Sequence, residues 1–147
     1  MVKDHVYFCS NQKIYDFYKG KIVTISPGPE GFHTFFKVGD HLVIRERGVG
    51  LEFLSYNNQL TMFRGGDLFA DNSTPVRGIV SANKKQYIIS PKGVFEWDYN
   101  NSLPEVSEVK KITTPIDAWL ADKTVYCSIN IGSEYFAFGS VSGGLTI

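Results

Sequence analysis

A short stretch near the middle of the chain, residues 87–99, reads YIISPKGVFEWDY and decides the fold class. Two apolar runs flank Pro91-Lys92-Gly93, and the second run ends in Trp97-Asp98. Proline presets a turn backbone, and glycine adopts the left-handed conformations that tight reversals require. The stretch therefore predicts a β-hairpin that reverses at residues 91–93.

The same pattern occurs three more times along the chain. Residues 5–18 read HVYFCSNQKIYDFY, residues 41–56 read HLVIRERGVGLEFLSY, and residues 124–138 read TVYCSINIGSEYFAF. The four hairpins start at His5, His41, Gln86 and Thr124, so they are 36, 45 and 38 residues apart. This spacing predicts a repeated unit of about 40 residues.

Further short apolar runs lie between the hairpins and predict the remaining strands of each repeat. These runs cover residues 21–26, 32–38, 60–64, 76–80, 109–113 and 116–120. Four short strands in about 40 residues are typical of a β-propeller blade. A single sheet of this size cannot hide both of its apolar faces, so such repeats stack on one another.

Residues 88–98 resemble the second and third strands of a WD40 blade, including the closing Trp97-Asp98. Residues 13–16 resemble the same place with Tyr15 in the position of the tryptophan, and residues 116–120 resemble an inner strand. The resemblance covers nearly the whole chain but is degenerate. Two of the hairpins lack Trp-Asp, and the Gly-His pair of the family is only loosely matched at residues 31–33.

We therefore expect a single all-β domain over residues 1–147, built from antiparallel four-stranded repeats. The expected blades are roughly 1–26, 32–64, 76–113 and 116–147. Complete WD40 propellers usually have seven blades, whereas four are expected here, so three interpretations are possible. The chain is one part of a longer propeller, two chains complete one ring, or four blades close alone. A β-trefoil is the alternative fold, although it has three repeats rather than four.

Charge and cysteine usage narrow the function classes. The chain has 15 basic and 15 acidic residues, without a basic stripe, so we expect no nucleic-acid partner. Its two cysteines, Cys9 and Cys127, are far apart and lack metal-ligand spacing. The amino-terminal residues are too polar for a signal peptide, and no apolar run approaches 18 residues. We expect a cytoplasmic or nuclear protein without a membrane partner.

The sequence contains no motif of a known catalytic chemistry. It lacks Gly-x-Ser-x-Gly, a phosphate-binding glycine loop and His-Glu-x-x-His. We therefore predict no enzyme activity, no cofactor and no metal. Arg45 and Arg47 alternate in one strand, and we favour their pairing with Glu46, Glu52 or a neighbouring blade over the binding of an anion.

The resemblance to WD40 propellers implies a non-catalytic scaffold that presents loops to other proteins, with self-association or a second subunit completing the ring. An exposed Phe69 flanked by Arg64 and Asp67 would be a binding hot spot. The full set of expected contact residues is Glu30, Phe32, Arg47, Arg64, Asp67, Phe69 and Lys92.

The alternative function is a small-ligand or carbohydrate-binding β-repeat module. Sugar recognition needs an exposed aromatic ring beside amide or carboxylate groups. Trp97 with Asn100 and Asn101 is one such set, but we favour a structural role for Trp97 because an aromatic residue that closes a strand packs between blades.

Overall fold

The computed structural model of the chain describes residues 4–55 and 57–147 and shows an all-β protein, with 51% strand and 9% helix. The predicted start of the first repeat, at residue 1, and the predicted end of the second hairpin, at Tyr56, lie outside these residues. The chain divides into two compact units, residues 1–72 and 73–147, each of which holds two of the expected repeat ranges. Within the described chain, no helix is long and apolar enough to cross a membrane.

The first unit contains two antiparallel sheets whose strands follow one another in chain order. Sheet A consists of β1 (Val6–Cys9), β2 (Ile14–Tyr18) and β3 (Lys21–Ile25). Sheet B consists of β4 (Phe32–Val38), β5 (His41–Glu46), β6 (Gly50–Leu54) and β7 (Leu60–Met62). A 3₁₀ turn, Gly66–Phe69, follows β7.

The second unit repeats this arrangement with a helix inserted. Sheet C consists of β8 (Gly78–Ala82), β9 (Lys85–Ser90), β10 (Gly93–Trp97) and β11 (Val109–Ile112). A 3₁₀ turn, Pro104–Val106, lies between β10 and β11. Helix α1 (Asp117–Asp122) leads to sheet D, which consists of β12 (Val125–Ile131), β13 (Tyr135–Ser140) and β14 (Leu145–Thr146).

All four hairpins that the sequence predicts are present, as β1–β2, β5–β6, β9–β10 and β12–β13. In the stretch that decides the fold class, Ile89 pairs with Val94 and Tyr87 pairs with Glu96. Gly93 has a φ of +121°, a backbone angle that residues with a Cβ atom rarely adopt. The reversal at residues 91–93 therefore depends on this glycine.

The run at residues 116–120 was expected to be an inner strand, and this prediction is wrong because α1 begins at Asp117. The Asp117 carboxylate accepts hydrogen bonds from the Thr114 hydroxyl, at 2.6 Å, and from the Thr114 backbone N–H, at 3.1 Å. These bonds lower the pKa of Asp117. These bonds close a turn immediately before α1, whose N-cap residue, Ile116, has no side-chain cap bond. Sheet D therefore has three strands.

Each unit has its own apolar core, in which two sheets face each other. In the first unit the buried core residues are Ile14, Ile25, Phe32, Leu42, Ile44 and Leu54. In the second they are Val80, Ile89, Val94, Leu120, Val125 and Phe138, so α1 contributes Leu120 to the packing between sheets C and D. Each large apolar side chain that is fully buried contributes about 1.5–3 kcal/mol to stability.

Candidate functional site

The structure divides the contact residues expected from the sequence into surface and core residues. Glu30, Arg64, Asp67 and Lys92 are exposed, and Arg47 is partly buried. Phe32 and Phe69, in contrast, are completely buried. The expectation that these two phenylalanines contact a partner is wrong, because Phe32 opens β4 in the first core and Phe69 closes the 3₁₀ turn with its ring inward.

The buried Arg45 binds the backbone of the segment that contains Phe69. Its guanidinium donates hydrogen bonds to the carbonyl oxygens of Phe69, at 3.0 Å, and Asp71, at 2.9 Å. Arg47 donates in the same way to the carbonyl of Phe32, at 3.1 Å. Arg45 and Arg47 thus both bind backbone carbonyls of neighbouring segments. The sequence had favoured pairing with Glu46, Glu52 or a neighbouring blade.

Trp97 is 1% exposed, and its ring centroid lies 4.8 Å from that of Tyr99. Trp97 is therefore buried, as the structural role that the sequence favours requires. The exposed ring that the alternative carbohydrate site at Trp97, Asn100 and Asn101 needs is not present at Trp97.

A pair of buried carboxylates lies on the core-facing side of sheet B. Glu46 is 4% exposed and Glu52 is 8% exposed. Because Glu52 pairs with Ile44 in the β5–β6 register, Glu46 and Glu52 lie on the same face as the core residues Leu42 and Ile44. The sequence shows both residues, but their proximity depends on the hairpin register.

The two carboxyl groups differ in their surroundings. Glu46 Oε1 accepts a hydrogen bond from the Gly28 backbone N–H at 2.6 Å. Burial, and the nearby Glu46 carboxylate, raise the pKa of Glu52 to about 7. Glu52 is therefore largely protonated below about pH 7.

A cleft of about 350 Å³, here called the aromatic cleft, lies in the second unit. Its rings are those of Tyr87 on β9 and Phe136 on β13, with centroids 6.1 Å apart and ring planes inclined by 37°. The residues that line it are Ala82, Asn83, Tyr87, Val94, Ile112, Thr114, Ile116, Glu134 and Phe136. Its residues come from five separate segments of the chain, so no short stretch of sequence signals the cleft.

Side-chain bonds hold the two walls of the aromatic cleft together. The Asn130 side chain, near the end of β12, accepts a hydrogen bond from the Ser81 N–H at 3.1 Å and donates one to the Ser81 carbonyl. Gly78 lies against Ser128, so that a Cβ on residue 78 would overlap the Ser128 Oγ. These contacts attach β12 to β8 and so join the two walls of the cleft.

A charged depression lies at the other end of the same face of sheet C. The Lys85 ammonium bridges to Glu96 at 2.9 Å, and Lys110 bridges to Glu108 at 3.0 Å. Asp98 completes the lining. Ion pairs this exposed contribute little to stability. The carboxylates of Glu96 and Glu108 balance the positive charges of the two lysines.

Sheet A has an exposed apolar outer face, here called the A face. The register pairs Phe8 with Tyr15 and Phe17 with Ile22, which places all four side chains on the side opposite the core residue Ile14. Their exposed fractions run from 40% for Tyr15 to 67% for Ile22. Within the described strands, no residue on this face is charged.

Sheet D has a similar surface, here called the D face. Ile131 pairs with Tyr135, and Ile129 and Leu145 lie on the same side, away from the buried Phe138. All four are at least 44% exposed. The strand residues described on this face also carry no charge.

Comparison with known proteins adds no family assignment, because no family model, curated protein or solved structure matches the chain.

Proposed function

We propose that the chain is a non-catalytic protein-interaction scaffold of the WD40-like propeller type, and that it assembles with a second copy of itself into a ring. The observation that carries the proposal is the pair of uncharged, exposed apolar faces, one on sheet A and one on sheet D. Contiguous exposed apolar surface of this kind is typical of interaction sites.

The packing inside each unit supports face-to-face association. Sheets A and B bury apolar faces against each other, as do sheets C and D. The A face and the D face offer the same kind of surface, with four large apolar side chains each. Stacking the A face of one copy on the D face of the other continues this packing. Two copies related by a twofold axis make two such contacts and leave neither face uncovered.

The number and connectivity of the sheets support a propeller rather than a β-trefoil. Each of the four sheets is a meander of consecutive antiparallel strands, as in a propeller blade. A trefoil would contain three repeats. In the proposed assembly, the exposed residues Glu30, Arg64, Asp67 and Lys92, with Arg47, remain the candidate contacts for further protein partners.

Solution mass across a range of concentrations tests the second-copy assembly. We expect a dimer for the unaltered chain, and monomers for Phe17→Lys in the A face and for Ile129→Lys in the D face. Each substitution places a charge in an apolar contact, which weakens association by about 100-fold or more. Leu68→Lys is the control, because Leu68 is 47% exposed but belongs to neither face.

Mixing the two variants distinguishes A-to-D stacking from like-to-like stacking. The Phe17→Lys chain keeps an intact D face and the Ile129→Lys chain keeps an intact A face, so the mixture should form a mixed dimer through one contact. A variant that stays dimeric alone would show that A packs on A or D on D. A chain that is monomeric at all concentrations would refute assembly with a second copy.

A further inference from the structure

The aromatic cleft is independent of the surfaces used in the proposed ring. Phe136 lies on the inner side of sheet D, with Phe138, whereas the D face is the opposite side of that sheet. The ring would leave the cleft's rim residues Asn83 and Glu134 outside both contact faces. The cleft therefore needs a separate explanation.

The size and lining of the cleft fit a small molecule. Its volume of about 350 Å³ is at the lower end of the range for ligand pockets. Val94, Ile112 and Ile116 line it beside the two rings, so a bound group loses contact with water on the side that faces the cleft. An apolar or aromatic body gains most from such a site.

The acidic side chain in the cleft favours a positively charged ligand. Glu134 is the one acidic or basic side chain among the described residues that line it. No basic side chain in the described part of the chain is paired with Glu134. The faces of aromatic rings also attract cations. The nearby Lys85 ammonium lies 2.9 Å from the Glu96 carboxylate, which balances its charge.

We infer that the aromatic cleft binds a small organic monocation, an alkylammonium or arylammonium compound. The apolar body of the ligand lies against Tyr87 and Phe136, and its ammonium group lies at the Glu134 carboxylate. The occupant is a free small molecule, because the cleft holds a group of about that size.

Titration of the full-length chain with benzylammonium, followed by two-dimensional NMR, tests this inference. Benzyl alcohol is the matched neutral probe and benzoate the anionic one. We expect saturable shifts at the amides of residues 82–87 and 134–136. Benzylammonium should bind about tenfold more tightly than benzyl alcohol, and benzoate should not bind.

Two variants distinguish the contribution of the Glu134 charge to binding from that of the aromatic rings. Glu134→Gln, at an exposed position, should remove the preference for the cation and leave the binding of benzyl alcohol unchanged. Phe136→Leu should weaken both probes. Glu105→Gln, an exposed acid in the 3₁₀ turn of the same unit, should change neither.

Several results would overturn the inference. They are equal binding of the charged and neutral probes, an unaltered preference in Glu134→Gln, or shifts confined to residues outside the cleft. Tighter binding of a lysine residue with blocked ends than of benzylammonium would also overturn it, since the occupant would then be a side chain of a protein partner.

Discussion

Replacing Glu52 with glutamine should stabilise the first unit at pH 8 and have almost no effect at pH 4. Glu52 is buried beside Glu46, and its pKa is raised from 4.5 to about 7. Glutamine has nearly the same shape and carries no charge. It also has an amide that can donate to the Glu46 carboxylate, as the protonated Glu52 does.

The expected size of the effect comes from the two pKa values. The folded chain binds the Glu52 proton more tightly than the unfolded chain, so stability falls as the pH rises from 4.5 to 7. Below this range both states are protonated and nothing is lost. Above it the full cost of the buried charge applies, about 3 kcal/mol. The Glu52→Gln variant should therefore gain about 3 kcal/mol over the unaltered chain at pH 8.

Urea unfolding followed by far-ultraviolet circular dichroism, at pH 4, 6 and 8, measures this difference. Both tryptophans, Trp97 and Trp119, lie in the second unit, so their fluorescence follows that unit in the same samples. Glu30→Gln is the matched control, because Glu30 is an exposed glutamate in the first unit. It should shift stability by less than about 0.5 kcal/mol at every pH.

Two results would refute the reasoning. One is a Glu52→Gln variant that is less stable than the unaltered chain at pH 8. The other is a difference between the two proteins that is the same at pH 4 and pH 8. In either case the Glu52 carboxyl would not be titrating in the buried environment described above.

Three further substitutions test the structure by thermal or urea unfolding. Asp16→Asn should cost about 1–3 kcal/mol, because the buried carboxylate accepts the His5 Nδ1 hydrogen bond at 2.8 Å, and an unchanged stability would contradict this pairing. Arg45→Met should cost a similar amount and make the loop that follows β7 sensitive to limited proteolysis, since buried loop carbonyls lose their donor. Gly50→Ala should cost about 3 kcal/mol, because its Cβ would lie 2.3 Å from a backbone carbonyl oxygen at a φ of +130°. Gly20→Ala, where nothing lies within 4 Å of the new Cβ, should cost only about 1 kcal/mol, and equal losses at the two glycines would refute the clash.

The hairpins could be predicted because their signals are local. A strand needs alternating or continuous apolar residues, and a reversal needs glycine, proline or asparagine at particular backbone angles. Residues 91–93 and the glycines at 48 and 50 meet these needs by themselves, and the observed strands begin and end within a few residues of the predicted ones. The all-β class follows from the same local evidence.

The helix at residues 117–122 shows where local reasoning was incomplete. A five-residue apolar run fits a buried strand and a short helix equally well. In the structure the hydroxyl and the backbone N–H of Thr114 both bond to the Asp117 carboxylate, and α1 begins at Asp117. Local bonds of this kind between a side chain and the backbone compete with strand pairing.

The surface, in contrast, could not be predicted from the sequence. Phe69 lies in a polar loop and was expected to be exposed, but its ring is buried, and Arg45, 24 residues earlier, binds the backbone carbonyl of Phe69. The aromatic cleft brings together Tyr87 and Phe136, which are almost 50 residues apart. The exposure of the A and D faces likewise depends on which side of each sheet meets its neighbour.

The sequence by itself determined the all-β class, the four hairpins and the structural role of Trp97, because turn chemistry and strand periodicity act over a few neighbouring residues. Only the tertiary structure decided which side chains are available to a partner or ligand. Burial depends on contacts between distant segments, such as Arg45 with the Phe69 loop and Asn130 with Ser81, and no short stretch of sequence contains both members of such a contact.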